Sequence, residues 1–169
     1  MKQKPKTAIL PVLLLSLALN IFLTSHYFYE KKREEESLGQ VINSIMFNMN
    51  EAVIQLNDLD QSSPDDKGRL IIAQSKVAEN EGLINAHIKE MPQNLVSWNG
   101  GMGVGLGNGI VGVSEVGAKE AVEDILNFKK GYDKEIQHVN PEEQPYEAIQ
   151  VIENVLSSKK YMGERFIYK

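Results

Sequence analysis

Residues 8–29 read A-I-L-P-V-L-L-L-S-L-A-L-N-I-F-L-T-S-H-Y-F-Y, 22 residues with no formal charge. A helix rises about 1.5 Å per residue, so this stretch reaches roughly 33 Å, enough to cross a bilayer core. On that reading residues 8–29 are a transmembrane signal-anchor helix. Residues 1–7 are a basic tail with Lys2, Lys4 and Lys6, and residues 30–169 form a domain on one side of the membrane. A basic tail before an apolar run also opens a cleaved secretory signal. Ser16-Leu17-Ala18 has the small-x-small form of a cleavage site, but cutting there leaves the apolar start L-N-I-F-L. The run continues instead into Tyr27, Phe28 and Tyr29, placed as an interfacial aromatic belt, and then meets Lys31, Lys32 and Arg33. An uncleaved single-pass anchor is expected. Basic residues nearly balance across the span, and a very short basic tail usually stays in the cytoplasm, which points the domain to the extracytoplasmic side of the cell membrane.

Charge and composition exclude several function classes. Removing the three N-terminal lysines from 18 basic residues leaves 15, against 23 acidic ones, all of which lie from Glu30 onward. A domain of net charge −8 is a poor candidate for nucleic acid, and none is expected as a partner. The chain has no cysteine, so disulfides, thiolate metal sites, a cysteine nucleophile and cysteine lipidation are all excluded. The disulfide-free domain fits a bacterial envelope protein.

Beyond a charged turn, E-K-K-R-E-E-E, the pattern becomes helical. Leu38, Ile42, Ile45, Met49, Ala52, Leu56 and Leu59 are spaced 4, 3, 4, 3, 4, 3, an apolar seam that continues the anchor. A two-stranded coiled coil would place charges beside such a seam. Here Val41, Met46 and Val53 widen it, which suits a bundle. Ser63 as cap and Pro64 at the first position start a second helix, which Pro92 stops. Its stripe is Leu70, Ala73, Val77, Ile84, Ile88 and Met91, with Asn80 in register as a buried polar element or at the solvent edge. A third helix from Ser114 or Glu115 faces inward through Ala118, Val122, Ile125, Tyr132, Ile136 and Val139, with Phe128 alongside. Pro145 opens a fourth, facing inward through Tyr146, Ile149, Ile152, Val155 and Leu156, before a basic and aromatic tail over 159–169. The expected fold is all-α: one N-terminal transmembrane helix, then an antiparallel bundle of about four helices over 30–60, 64–91, 114–139 and 145–158.

A Gly-rich connection is expected between helices two and three. Residues 91–114 carry no charge, and seven glycines fall from Gly100 to Gly112, five of them at alternate positions from Gly101 to Gly109. Replacing so many alanines by glycine costs a helix in water roughly 6–7 kcal/mol, which argues against a soluble helix. Alternation favours extended chain, and Asn108-Gly109 suits a hairpin turn, so residues 93–113 are read as a loop or hairpin over the bundle. A third reading, a membrane helix with Gly101, Gly105 and Gly109 as a packing strip, is opposed by Asn99 and Asn108. Trp98, Met102, Val104, Leu106, Ile110 and Val111 are too apolar for an idle linker and form the candidate interaction surface.

Searches for chemistry end without a catalytic group. No phosphate loop follows the glycines, and Gly107-Asn108-Gly109-Ile110-Val111-Gly112 matches GxGxxG only as a string, without a βαβ context. His87 and His138 lie on separate helices without an ExxH pair. Asp58, Asp60, Ser62, Asp65 and Asp66 lack the glycine and glutamate of a calcium loop. No metal, no cofactor and no enzyme activity are expected. The leading expectation is a membrane protein that displays a helical bundle to a protein partner, as adaptor, envelope-complex subunit or modulator, with homo-oligomers possible. A tethered small-molecule-binding bundle and a membrane-active glycine segment are the alternatives.

Overall fold

The computed structural model describes residues 9–57, 59 and 65–163. Leu38, Ile42, Ile45, Met49, Ala52 and Leu56 are all buried, as their spacing predicts, and Leu59 packs against the same core. They belong to α1 (Ile9–Leu56), one unbroken helix of 48 residues. At about 1.5 Å per residue α1 is roughly 72 Å long, more than twice the roughly 30 Å of a bilayer core. Its first part is the one helix among the described residues long and apolar enough to cross a membrane, with a mean hydropathy of 1.6 over a window of which none is buried. The charged neck stays helical. Arg33 pairs with Glu30 at 3.1 Å, Lys32 with Glu36 at 3.6 Å and Lys31 with Glu35 at 3.9 Å, all at helical spacing.

Five further α-helices pack with the second part of α1. They are α2 (Asp65–Ala86), α3 (Gln93–Ile110), α4 (Glu115–Glu135), α5 (Pro145–Leu156) and α6 (Lys159–Met162), with a 3-10 turn Ile136–His138 after α4. No strand occurs among the described residues. α2 returns beside α1, so that Asn80 meets Asn48 and the start of α2 lies level with the end of α1. α3 runs back up along α2, and α4 descends along α3.

The glycine segment corrects the sequence reading: residues 93–110 are α3, neither loop nor hairpin. Two residues along a helix turn through about 200°, so alternate glycines fall on opposite flanks. Gly103 and Gly107 face α2, where added Cβ atoms would stand 3.7 Å from Val77 Cγ1 and 2.8 Å from Gln74 Nε2. Gly105 and Gly109 face α4, where a Cβ on Gly105 would come 2.7 Å from Ala121 Cβ and 3.0 Å from the Gly117 carbonyl oxygen. Between the flanks Leu95, Trp98, Met102 and Leu106 point into the core, all but fully buried. Their burial, worth about 1.5–3 kcal/mol per large side chain, outweighs the propensity cost of the glycines.

Smaller corrections follow the same packing. α2 ends at Ala86 and a turn covers 87–90, which leaves Ile88 half exposed. α4 ends at Glu135, short of Val139. On α5 it is Ala148 that is buried, while Tyr146 is 56 % exposed. Gly131, a weak residue for a helix, is required by close approach: a Cβ there would stand 2.8 Å from Val155 Cγ1 and 2.7 Å from Tyr161 Cγ. Gly39 likewise admits the 140–143 turn onto α1, a Cβ there lying 2.5 Å from the Pro141 carbonyl oxygen. Ser63, Pro64, the aspartates at 58 and 60, and the 164–169 tail lie outside the described residues.

Two glycines of α3 should therefore respond oppositely to one substitution. Gly100 is exposed with nothing near a Cβ, so Gly100→Ala should stabilise the helix by about 0.8–1 kcal/mol. Gly105→Ala gains the same propensity and loses more to the clash with Ala121 and Gly117. Its midpoint in thermal melting followed by circular dichroism should fall below that of the parent protein.

Candidate interaction surface

The six residues expected at a contact surface divide into two sets. Trp98, Met102 and Leu106 are core residues, with the Trp98 ring 4.5 Å from that of Phe128 and Phe128 6.2 Å from Tyr132. They are not available to a partner while α3 stays packed. Val104 is 65 % and Val111 70 % exposed, and Ile110 is half-buried. Two valines outside the expected set join them: Val113 and Val116 are each more than two-thirds exposed.

The α3–α4 turn explains why these valines point outward. Gly112 adopts φ +74°, and its N–H donates to the Gly109 carbonyl at 3.2 Å while the Val113 N–H donates to the Asn108 carbonyl at 2.9 Å. That pair of bonds is the Schellman helix end, which a positive-φ glycine permits. The motif usually seats its following residue against an apolar side chain one turn back. Here that position is Asn108, and Val113 is left in the open. Ser114 then caps α4, accepting the Gly117 N–H at 3.0 Å. Hydrogen bonds thus fix the turn, and the valines stand on a rigid frame.

The turn occupies the end of the packed helices farthest from the apolar part of α1. Gly109 lies beside Leu70 in the first turns of α2, level with the end of α1. From Tyr29 to Leu56 α1 rises roughly 40 Å, which sets the height of this tip above the apolar run.

Inside, three amides tie α1, α2 and α3 together. Asn48 Nδ2 donates to Asn80 Oδ1 at 2.9 Å, Asn80 Nδ2 donates to the Ile45 carbonyl at 3.2 Å, and Asn99 Nδ2 donates to the Val77 carbonyl at 3.1 Å. Asn80 is fully buried, which decides between its two sequence readings, and Asn48 and Asn99 are buried beside it. Such bonds fix the relative register of the helices, because an unmatched buried amide is costly.

Titratable groups with shifted behaviour gather at the other end. Burial, with the neighbouring Asp133 carboxylate, pushes the Tyr132 hydroxyl up to about 12. The Tyr161 hydroxyl donates to Glu135 and holds that carboxyl below its ordinary range, with Lys160 3.8 Å away adding to the effect. The cluster fastens α6 to α4 and contains no nucleophile–base pair. His87 is half-buried and His138 exposed, and among the described residues no group of three His, Asp or Glu side chains is placed to hold a metal.

Compared with protein-family models, curated proteins and solved structures, the chain matches none.

Two measurements check this account. Asn80→Ala leaves the Asn48 amide without its acceptor and should cost about 1–3 kcal/mol, and the Asn48→Ala/Asn80→Ala double variant should cost less than the two single changes together. Tyr132 titrates at 10.0 when unfolded and near 12 in the fold, so its contribution is fully present below pH 10 and is lost as pH rises towards 12. Tyr132→Phe should flatten that part of the stability-versus-pH curve.

Proposed function

We propose that the chain is a membrane-tethered helical module that acts by protein–protein contact and performs no chemistry. On this reading residues 8–29 span the membrane once, and the second part of α1 with α2, α3 and α4 forms an antiparallel bundle on the extracytoplasmic side. The carrying observation is the tip: Val111 and Val113 are exposed on a turn held by its own hydrogen bonds, in a stretch from 91 to 114 without a charge, and Val116 is exposed just beyond it at the start of α4. Exposed apolar residues on a fixed, uncharged frame suit an apolar partner surface, which they would desolvate at little conformational cost. The height of the tip, roughly 40 Å above the apolar run, suits a partner standing away from the bilayer.

Neither alternative draws comparable support. A membrane-active glycine segment would have to withdraw Trp98, Met102 and Leu106 from the core. A ligand held inside the helices would compete with Trp98, Phe128, Ile42 and Leu106, which already occupy the interior.

The test uses the full chain in its own membrane. A photo-crosslinking residue at position 113 should give a discrete adduct with another protein. Val111→Asp with Val116→Asp should abolish that adduct and leave the melting curve within about 0.5 kcal/mol of the parent, since both sites are exposed. An adduct indifferent to both changes would remove the tip from the proposed role.

A further inference from the structure

Residues 8–29 hold one amide side chain, Asn20, which stands about 2 Å from the midpoint of the run. Every residue from Leu10 to Tyr29 is exposed, so no other described part of the chain covers it. Leu13, Ser16, Asn20, Thr24 and Tyr27 are spaced 3, 4, 4 and 3 and so share one face of α1. A serine or threonine in an apolar helix can satisfy its hydroxyl on the carbonyl four residues back. The asparagine amide offers two N–H donors and a carbonyl acceptor, and hydrocarbon matches none of them. The same face points beneath the packed helices. Asn20 and Leu38 are separated by about five whole turns of an unbroken helix, so Asn20 lies on the side of α1 that carries the buried seam Leu38, Ile42 and Ile45. The 140–143 turn, packed on Gly39, stands roughly 15 Å above Tyr29. The packed helices therefore overhang the Asn20 face and leave a gap of about that height.

We propose that the Asn20 face receives the transmembrane helix of a different protein, one with a hydrogen-bonding side chain at mid-depth and a chain that ends or turns aside close above the membrane. This rests on the membrane-tethered part of the reading above and is independent of the tip. The overhang selects the partner. A second copy inserted the same way carries its own α1 roughly 40 Å above the span, where it would run into the packed helices. A span that stops or turns within the gap fits beneath them. Ser16 and Thr24 are small, which lets two helix backbones approach closely in lipid. The hydrogen bond from Asn20 is the selective contact, because a span without a polar group at that depth leaves the amide unmatched.

The test uses the full chain in its own membrane. A photo-crosslinking residue replaces in turn Leu13, Ser16 or Thr24 on the Asn20 face, and Leu15, Ala18 or Phe22 on the opposite side. The face positions should give one discrete protein adduct of the same mass, and the opposite positions should not. Asn20→Val should lower the adduct at position 24 about threefold to tenfold, while Asn20→Gln, which keeps an amide, should retain most of it. The melting curve of the packed helices should be unchanged in both variants, since residue 20 lies outside them. Two differently tagged copies expressed together should give no adduct carrying both tags. Adducts alike on both sides of the helix, an adduct indifferent to Asn20→Val, or one carrying both tags overturns the proposal. Alkaline carbonate extraction of the same membranes reports on the tether separately. Retention of the chain without a face-specific adduct sinks this contact alone, whereas release of the chain sinks the tether and the contact with it.

Discussion

The close approach of α3 to α4 is the contact on which the rest of the packing depends. Gly105 and Gly109 lie against Ala121, Ala118 and the Gly117 backbone, where no larger residue fits. Only at that separation does Trp98 reach the Phe128 ring and Leu106 lose all exposure. The α2 side is less tight: a Cβ at Gly103 would make an ordinary contact with Val77, and one at Gly107 would displace only the end of the Gln74 side chain. α3 is therefore a wedge between two helices: thin at its flanks, bulky along the edge that enters the core. A single glycine repeats the device where α5 and α6 cross α4, Gly131 admitting Val155 and Tyr161.

Much of the fold is legible in residue spacing. The 4-3 alternation from Leu38 to Leu56 gives the core face of α1 without error, because a single helix side repeats at that period and nothing interrupts it. Pro145 opens α5 as expected, whereas Pro92 does not end α2, which stops at Ala86, but stands as the cap at the start of α3. The glycine segment misleads for a definite reason. An alternation of period two is the mark of a strand, yet on a helix it also describes two opposite stripes of period four, and sequence alone does not separate the cases. The propensity cost was set against an exposed helix, whereas Leu95, Trp98, Met102 and Leu106 are buried. The part of the charge-free run that forms α3, Gln93–Ile110, is better read as a helix packed between α2 and α4.

The candidate surface was half legible. Hydrophobicity selects Trp98, Met102 and Leu106 together with Val104 and Val111, and which of them faces water depends on the helical phase. Once α3 is a helix, 98, 102 and 106 share one side and 104 and 111 another. Val113 and Val116 were missed because a helix-end turn holds them outward, and the available signal was Gly112 before Val113 with Asn108 where an apolar residue would normally cover it.

The unbroken length of α1 also has a mechanical meaning. Its apolar part and its core part share one hydrogen-bonded rod, so turning or shifting one end turns or shifts the other. A residue added in the neck between 30 and 36 would rotate the two parts by about 100° relative to each other, and seven added residues would nearly restore the phase while lengthening the rod by roughly 10 Å. α1 is a torsional shaft. Whatever holds its apolar end also sets the direction in which the rest of the protein faces.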